Sequence, residues 1–153
     1  MSYQVHLQKD KKLATCLGEE LQQLHFHKNI SLRLMANIMS QQLSTKVAKV
    51  IYKRFLDIYN GKEPLPQQVL DTSFETLRGI GLSNAKVNYV QNVAAFCLEH
   101  NITDKKLQKM SNDEILNLLI QIKGVGKWTV EMLLMFSLGR EDVFSVDDLG
   151  IQQ

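Results

Sequence analysis

The chemistry that this chain could do is concentrated in the stretch IKGVGKWTVEM, residues 122–132. There Gly124 and Gly126 flank one valine and are followed by Lys127 and the only tryptophan, Trp128. Glycine inside a helix costs about 1 kcal/mol, yet this pair stands between two segments with helical periodicity. A Gly-x-Gly corner lets the backbone take positive φ and come close to whatever docks there. A helix starting near Lys127 would point unpaired N–H groups and the positive end of its dipole outward, which favours an anion, typically a nucleic-acid phosphate. Lys127 adds a formal charge at the same end. The same glycines equally suit a sharp helix–helix turn with no ligand. Further on, Asp147 and Asp148 are paired acids at the start of a final helix, where either would serve as an N-cap. His25 and His27 lack an acidic or cysteine partner and are not read as metal ligands.

Helical periodicity dominates and strand alternation is nearly absent, which predicts an all-α fold. Leu13, Leu17, Leu21 and Leu24 predict a first amphipathic helix, and residues 31–40 a second, largely buried one. Ser44 is read as the N-cap of a third, running to about Tyr59 with Val47, Ile51, Phe55 and Ile58 inward. NGKEPLP, with both prolines, breaks the pattern. A short helix around Phe74–Leu77, a turn at GIG and a helix from about Ser83 to Leu98 follow, the last burying Val87, Val90, Ala94 and Leu98. Ser111 and Glu114 form a capping box with Met110 and Ile115 as its hydrophobic staple. Ile115, Leu118, Leu119 and Ile122 then mark one buried stripe. From Trp128 to Leu138 the chain is apolar almost all round, as a central helix would be. LRGIGLSNAKV and IKGVGKWTVEM also echo each other, both placing Gly-apolar-Gly between helices.

With 153 residues, 44% hydrophobic and 22% charged, the chain has the composition of a globular protein with one domain or two small lobes. No apolar run approaches the ~20 residues of a membrane span, and the N-terminus lacks a secretory core. Two cysteines cannot hold zinc or an iron–sulfur cluster alone, and an intracellular location is expected. Net charge is only +2, but residues 31–62 carry Arg33, Lys46, Lys49, Lys53, Arg54 and Lys62 against one acid, Asp57. Lys46, Lys49 and Lys53 would lie on one helix face, either solvated or tracking a phosphate backbone.

Three motifs in order carry a resemblance. LIQIKGVGKWTVEMLLMFSLGREDVFSVDDLG resembles the helix-hairpin-helix, loop and aspartate of the DNA glycosylase superfamily, and most of all its DNA-3-methyladenine glycosylase II branch. IMSQQLSTKVAKVIYKRF and RGIGLSNAKVNYV are similar to that branch's earlier segments. The likeness runs from about Ile30 to residue 153, with the hairpin at about 112–138, in a single helical glycosylase domain. It implies two helical lobes with a cleft, double-stranded DNA containing damaged bases as partner, and base flipping. By position, Asp148 matches the catalytic aspartate, leaving Asp147 as the cap. Trp128 matches an aromatic lining the base pocket. Met132 stands where relatives carry an aromatic, which implies a weaker or altered grip on the base. Gln42 matches the residue that fills the gap left by the flipped nucleotide, with Gln41 and Leu43 beside it. Gly124, Gly126, Lys127 and Thr129 match the phosphate-holding hairpin. Carbonyls of Ile120, Ile122 and Val125 match its alkali-metal ligands, Na+ or K+, and no other cofactor is expected. Branches that also nick the backbone need a lysine second after Gly-x-Gly; Trp128 stands there, so base removal without a lyase step is implied. If bacterial, the protein would act in the cytoplasm and nucleoid. Five residues follow Asp148, where the family continues for several helices, so the domain is expected to be C-terminally incomplete. A non-catalytic helix-hairpin-helix DNA-binding module, or an inactive truncated glycosylase, is the second reading.

Overall fold

The computed structural model describes residues 3–17, 23–146 and 148. Every regular element among them is helical: α1 (Tyr3–Leu7), α2 (Lys11–Cys16), α3 (Ile30–Ser40), α4 (Thr45–Ile58), α5 (Pro66–Leu70), α6 (Phe74–Gly79), α7 (Asn84–Glu99), α8 (Asp104–Lys109), α9 (Asn112–Leu119) and α10 (Lys127–Phe136). Among the described residues no helix is long and apolar enough to cross a membrane.

The centre is α3, against which α4, α7 and α10 all pack, while α5 packs on α7. Its Ile30, Leu32, Leu34, Met35, Ile38 and Met39 are all buried, so it is apolar on most sides. A helix enclosed in this way still has to satisfy its terminal peptide groups. The Asp104 carboxylate, from the start of α8, accepts the Asn29 and Ile30 amides at 2.8 and 2.9 Å. At the other end, the Lys86 amine of α7 donates to the carbonyls of Met39 at 2.9 Å and Gln41 at 2.6 Å. Both contacts put a charge where the helix dipole favours it.

Local capping signals in the sequence are realised. Ser44, Ser83 and Ser111 each accept an amide three residues on. The Ser111–Glu114 box is closed in both directions, with the Ser111 amide 2.7 Å from Glu114 Oε2. Met110 and Ile115 both pack against the core.

Several expectations are corrected. Of the leucine-spaced first helix, the described residues show only the short α2, ending at Cys16; Leu17 is extended at φ −80°, ψ 107°, and Leu13 is exposed. Gly18 and Leu21 both fall outside the described residues. Val47 is exposed at the open start of α4, whose buried anchors are Ile51 and Phe55. On α7, Cys97 takes the inward place expected of the exposed Leu98, with Val93 beside it. The break at NGKEPLP is present between the end of α4 and the start of α5, but α5 itself was not expected: Pro66 sits in its first turn, where a missing N–H costs nothing, and the Gln68 side chain accepts the Leu65 amide at 2.9 Å. α10 is not the enclosed helix: Trp128 and Phe136 are exposed, Glu131 is buried, and α3 holds the central place. The Gly-apolar-Gly echo is not repeated in the backbone. Positive φ falls on the second glycine of the first copy, Gly81 at 109°, and on the first of the second copy, Gly124 at 103°.

Candidate nucleic-acid interface

The corner between α9 and α10 explains one glycine by the fold alone. A Cβ on Gly124 would lie 2.2 Å from Tyr89 Cγ, and φ there is 103°, so both sterics and backbone require glycine. Gly126 is different. It is the N-cap of α10 at φ −99°, ψ 170°, a conformation any residue adopts, and a Cβ there would meet open space. Nothing within the described protein demands a glycine at 126. The N-cap glycine has no side chain with which to cap α10, and among the described residues the first amide with an intrahelical acceptor here is that of Val130, bonded to the Gly126 carbonyl at 3.2 Å. The amides ahead of it stand at the positive end of the dipole, beside exposed Lys127.

One turn into α10, the indole of Trp128 donates to Asp148 Oδ2 at 2.7 Å. Trp128 is 40% exposed, so the pair lies at the surface rather than in the core. The two residues expected to face the substrate are thus brought into direct contact, twenty positions apart in sequence. Met132, one further turn along, is half-buried. Asp147 lies outside the described residues.

The Gln41–Leu43 loop follows α3. Gln42 is exposed and adopts φ 58°, left-handed backbone that is uncommon outside glycine. Leu43 beside it is also exposed. Gln41 turns inward, its side-chain amide 3.2 Å from Thr129 Oγ1, and Thr129 is itself buried. These two side chains therefore link α3's end to α10, while the Thr129 backbone remains part of the hairpin start. A depression of about 240 Å³ lies against this loop, lined by Gln42, Leu43, Leu82, Ser83 and Lys86 among others.

A role missed in the sequence belongs to α7. Lys86, Tyr89 and Asn92, spaced at three residues, present one face. Lys86 fixes the peptide carbonyls before Gln42, Tyr89 fills the space over Gly124, and Asn92 donates to the Lys123 carbonyl at 3.2 Å. One rigid helix thus sets the distance between loop and corner. Burial pushes the Lys86 pKa below its ordinary value.

The charge track is shorter than its composition. Lys53 pairs with Asp57 at 2.9 Å, Arg33 with Glu63 at 2.7 Å, and Arg54 donates to the Ile80 carbonyl. Lys46, Lys49 and Lys62 stand exposed. At the proposed metal turn, the Ile122 carbonyl accepts the Val125 amide at 3.0 Å. A carbonyl oxygen has a second lone pair, and peptide oxygens suit a hard cation, so Ile120, Ile122 and Val125 have the right donor type.

Residues 35–153 match the family described as HhH-GPD superfamily base excision DNA repair protein. DNA-3-methyladenine glycosylase 1 of Schizosaccharomyces pombe is 42% identical over 121 residues, 78% of this chain and 53% of that protein. The DNA-3-methyladenine glycosylase of Saccharomyces cerevisiae is 33% identical over 129 residues, 78% of this chain and 43% of that protein. The chain spans about half the length of these curated relatives. Among solved structures, the S. pombe 3-methyladenine DNA glycosylase in complex with abasic DNA superposes with a TM-score of 0.85 at 36% identity, covering 99% of this chain and 77% of that one. A DNA-3-methyladenine glycosidase from Bacillus halodurans gives 0.79 at 37% identity, covering 86% and 60%. On this match, and on an all-helical fold that shares it, the chain belongs to the HhH-GPD superfamily of base excision DNA repair proteins, with DNA-3-methyladenine glycosylases as its homologues.

Proposed function

We propose that this chain binds duplex DNA at the α9–α10 corner, flips a damaged base into a cleft between two helical lobes, and hydrolyses its N-glycosidic bond. The observation that carries this reading is the Trp128–Asp148 contact of 2.7 Å beside the glycine N-cap of α10. A carboxylate there would meet the sugar of a strand whose phosphate rests on the hairpin amides of Gly126, Lys127 and Thr129.

The substrate class is alkylated purines of the 3-methyladenine type, as the names of the relatives suggest. Breaking the bond develops positive charge on the sugar, an oxocarbenium-like state. Asp148 stabilises that charge, most strongly where water is scarce, and helps to orient the attacking water. A cationic alkylated base leaves readily and is attracted to the face of Trp128, worth about 0.5–2 kcal/mol. Met132 would shape the same pocket. Gln42, on its strained exposed backbone, would enter the duplex to offset the few kcal/mol lost on unstacking, with Leu43 beside it. Trp128 occupies the place where a lyase would need its lysine, so release proceeds by water alone. A bound Na+ or K+ at the Ile120, Ile122 and Val125 carbonyls would add positive charge near the phosphate.

Methylated duplex DNA treated with protein and then hot alkali breaks only where a base has gone. Asp148→Asn is expected to abolish these breaks and to leave DNA affinity equal or higher. Breaks at the parent rate would refute the assignment. Salt-dependent binding without breaks from the parent protein itself would instead favour a non-catalytic DNA-binding module.

A further inference from the structure

We propose that Glu131 and Ser145 form a buried strut that sets Asp148 against Trp128, which makes both positioning residues for the carboxylate. The proposal rests on Asp148 being the acting group.

Glu131 is only 6% exposed, on a helix whose other inward residues include Val130, Leu133 and Leu134. A carboxylate in such a place is costly to bury unless it is well bonded. Its i+4 partner does not account for the burial. Lys127 Nζ lies 3.6 Å from Oε1 with its side chain half exposed, a pairing that a solvated glutamate would make equally well and that is worth little. The short bond is to the loop: Ser145 Oγ donates to Glu131 Oε2 at 2.5 Å, and Ser145 is fully buried.

Ser145 is the inward point of an irregular segment. On either side of it Phe144 is 68% exposed and Val146 is exposed. The Asp148 amide bonds back to the Ser145 carbonyl at 3.3 Å, so the turn that carries the carboxylate is built on Ser145. Trp128 and Glu131 are three residues apart on α10 and therefore neighbours on its surface. Two adjacent α10 side chains thus grip the two ends of one turn, Glu131 by the serine hydroxyl and Trp128 by the aspartate itself.

Trp128 is the only tryptophan, so its emission reports the contact without a label. Asp148→Ala gives the reference for a lost contact. Ser145→Ala is expected to shift the emission maximum and the acrylamide quenching to the Asp148→Ala values, with far-UV circular dichroism unchanged. Glu131→Ala is expected to do the same. Ser145→Thr, which keeps the hydroxyl, and Glu131→Gln, which keeps an acceptor for it, are expected to retain the parent values. In single-turnover base release, Ser145→Ala is expected to slow the chemical step roughly tenfold to a hundredfold with DNA affinity unchanged. Parent-like emission and quenching in a folded Ser145→Ala would overturn the strut, whatever Glu131→Ala does. An Asp148→Ala emission identical to the parent would overturn it too, because the contact would be absent in solution. Emission that moves as expected while Asp148→Asn still releases bases leaves the strut standing and removes the catalytic role of Asp148.

Discussion

Gly124 and Gly126 are the same residue two positions apart, but substitution at each should read out a different property. Gly124→Ala forces a side chain to φ 103° and into the Tyr89 ring, so a loss of about 2–4 kcal/mol of stability is expected in urea denaturation. Gly126→Ala places its methyl in open space on ordinary backbone, so stability should change by less than about 1 kcal/mol. Its DNA affinity should nevertheless fall, because the methyl stands where a strand would approach. Fluorescence anisotropy with a labelled duplex separates the two: a Gly126→Ala variant with parent affinity would remove the corner from the interface. The sequence exposed this pair because glycine between two helical patterns is locally conspicuous. It could not distinguish the two roles, since Tyr89 reaches Gly124 from a different helix.

At the scale of the element, the helix starts were the most legible features, because a cap and its amide lie three residues apart. Ser44, Ser83 and Ser111 follow that rule. So does Thr103 at the head of α8, a helix absent from the periodicity reading because six residues are too few to show a stripe. Contacts between elements were not legible. The Glu131–Ser145 bond spans 14 positions and the Lys86 bonds span 47 and 45, separations that no spacing rule encodes. Lys86→Met should therefore weaken more than α7. Loss of two charge-assisted bonds is expected to cost about 1–3 kcal/mol and to lower DNA affinity by loosening Gln42, checked by denaturation and anisotropy together. The capping box gives an element-level pH dependence. Bonds to Ser111 hold the Glu114 pKa below its ordinary 4.5. With the folded value depressed, its stabilisation is complete above the ordinary pKa and is lost as pH falls through the folded one. The thermal midpoint of the parent should accordingly drop more than that of Glu114→Gln between about pH 6 and about pH 3; parallel curves would count against it.

For the whole molecule, order depends on a few contacts that tie distant stretches together. The Asp104 carboxylate holds both the Asn29 and Ile30 amides, the entry to the helix on which three others pack. Asp104→Ala should lower global stability by about 2–3 kcal/mol, because it strands two backbone donors and not merely one surface charge. A single cooperative transition, shifted as a unit, is the expected urea profile. That tether also bears on how the protein is made. The acceptor for α3's first amides is some 75 residues downstream, so at ribosomal speeds of about 5–20 residues per second the nascent helix waits several seconds for its partner to emerge. During that interval its apolar sides have nothing native to rest on, and a chaperone or the ribosome surface would be the natural shelter.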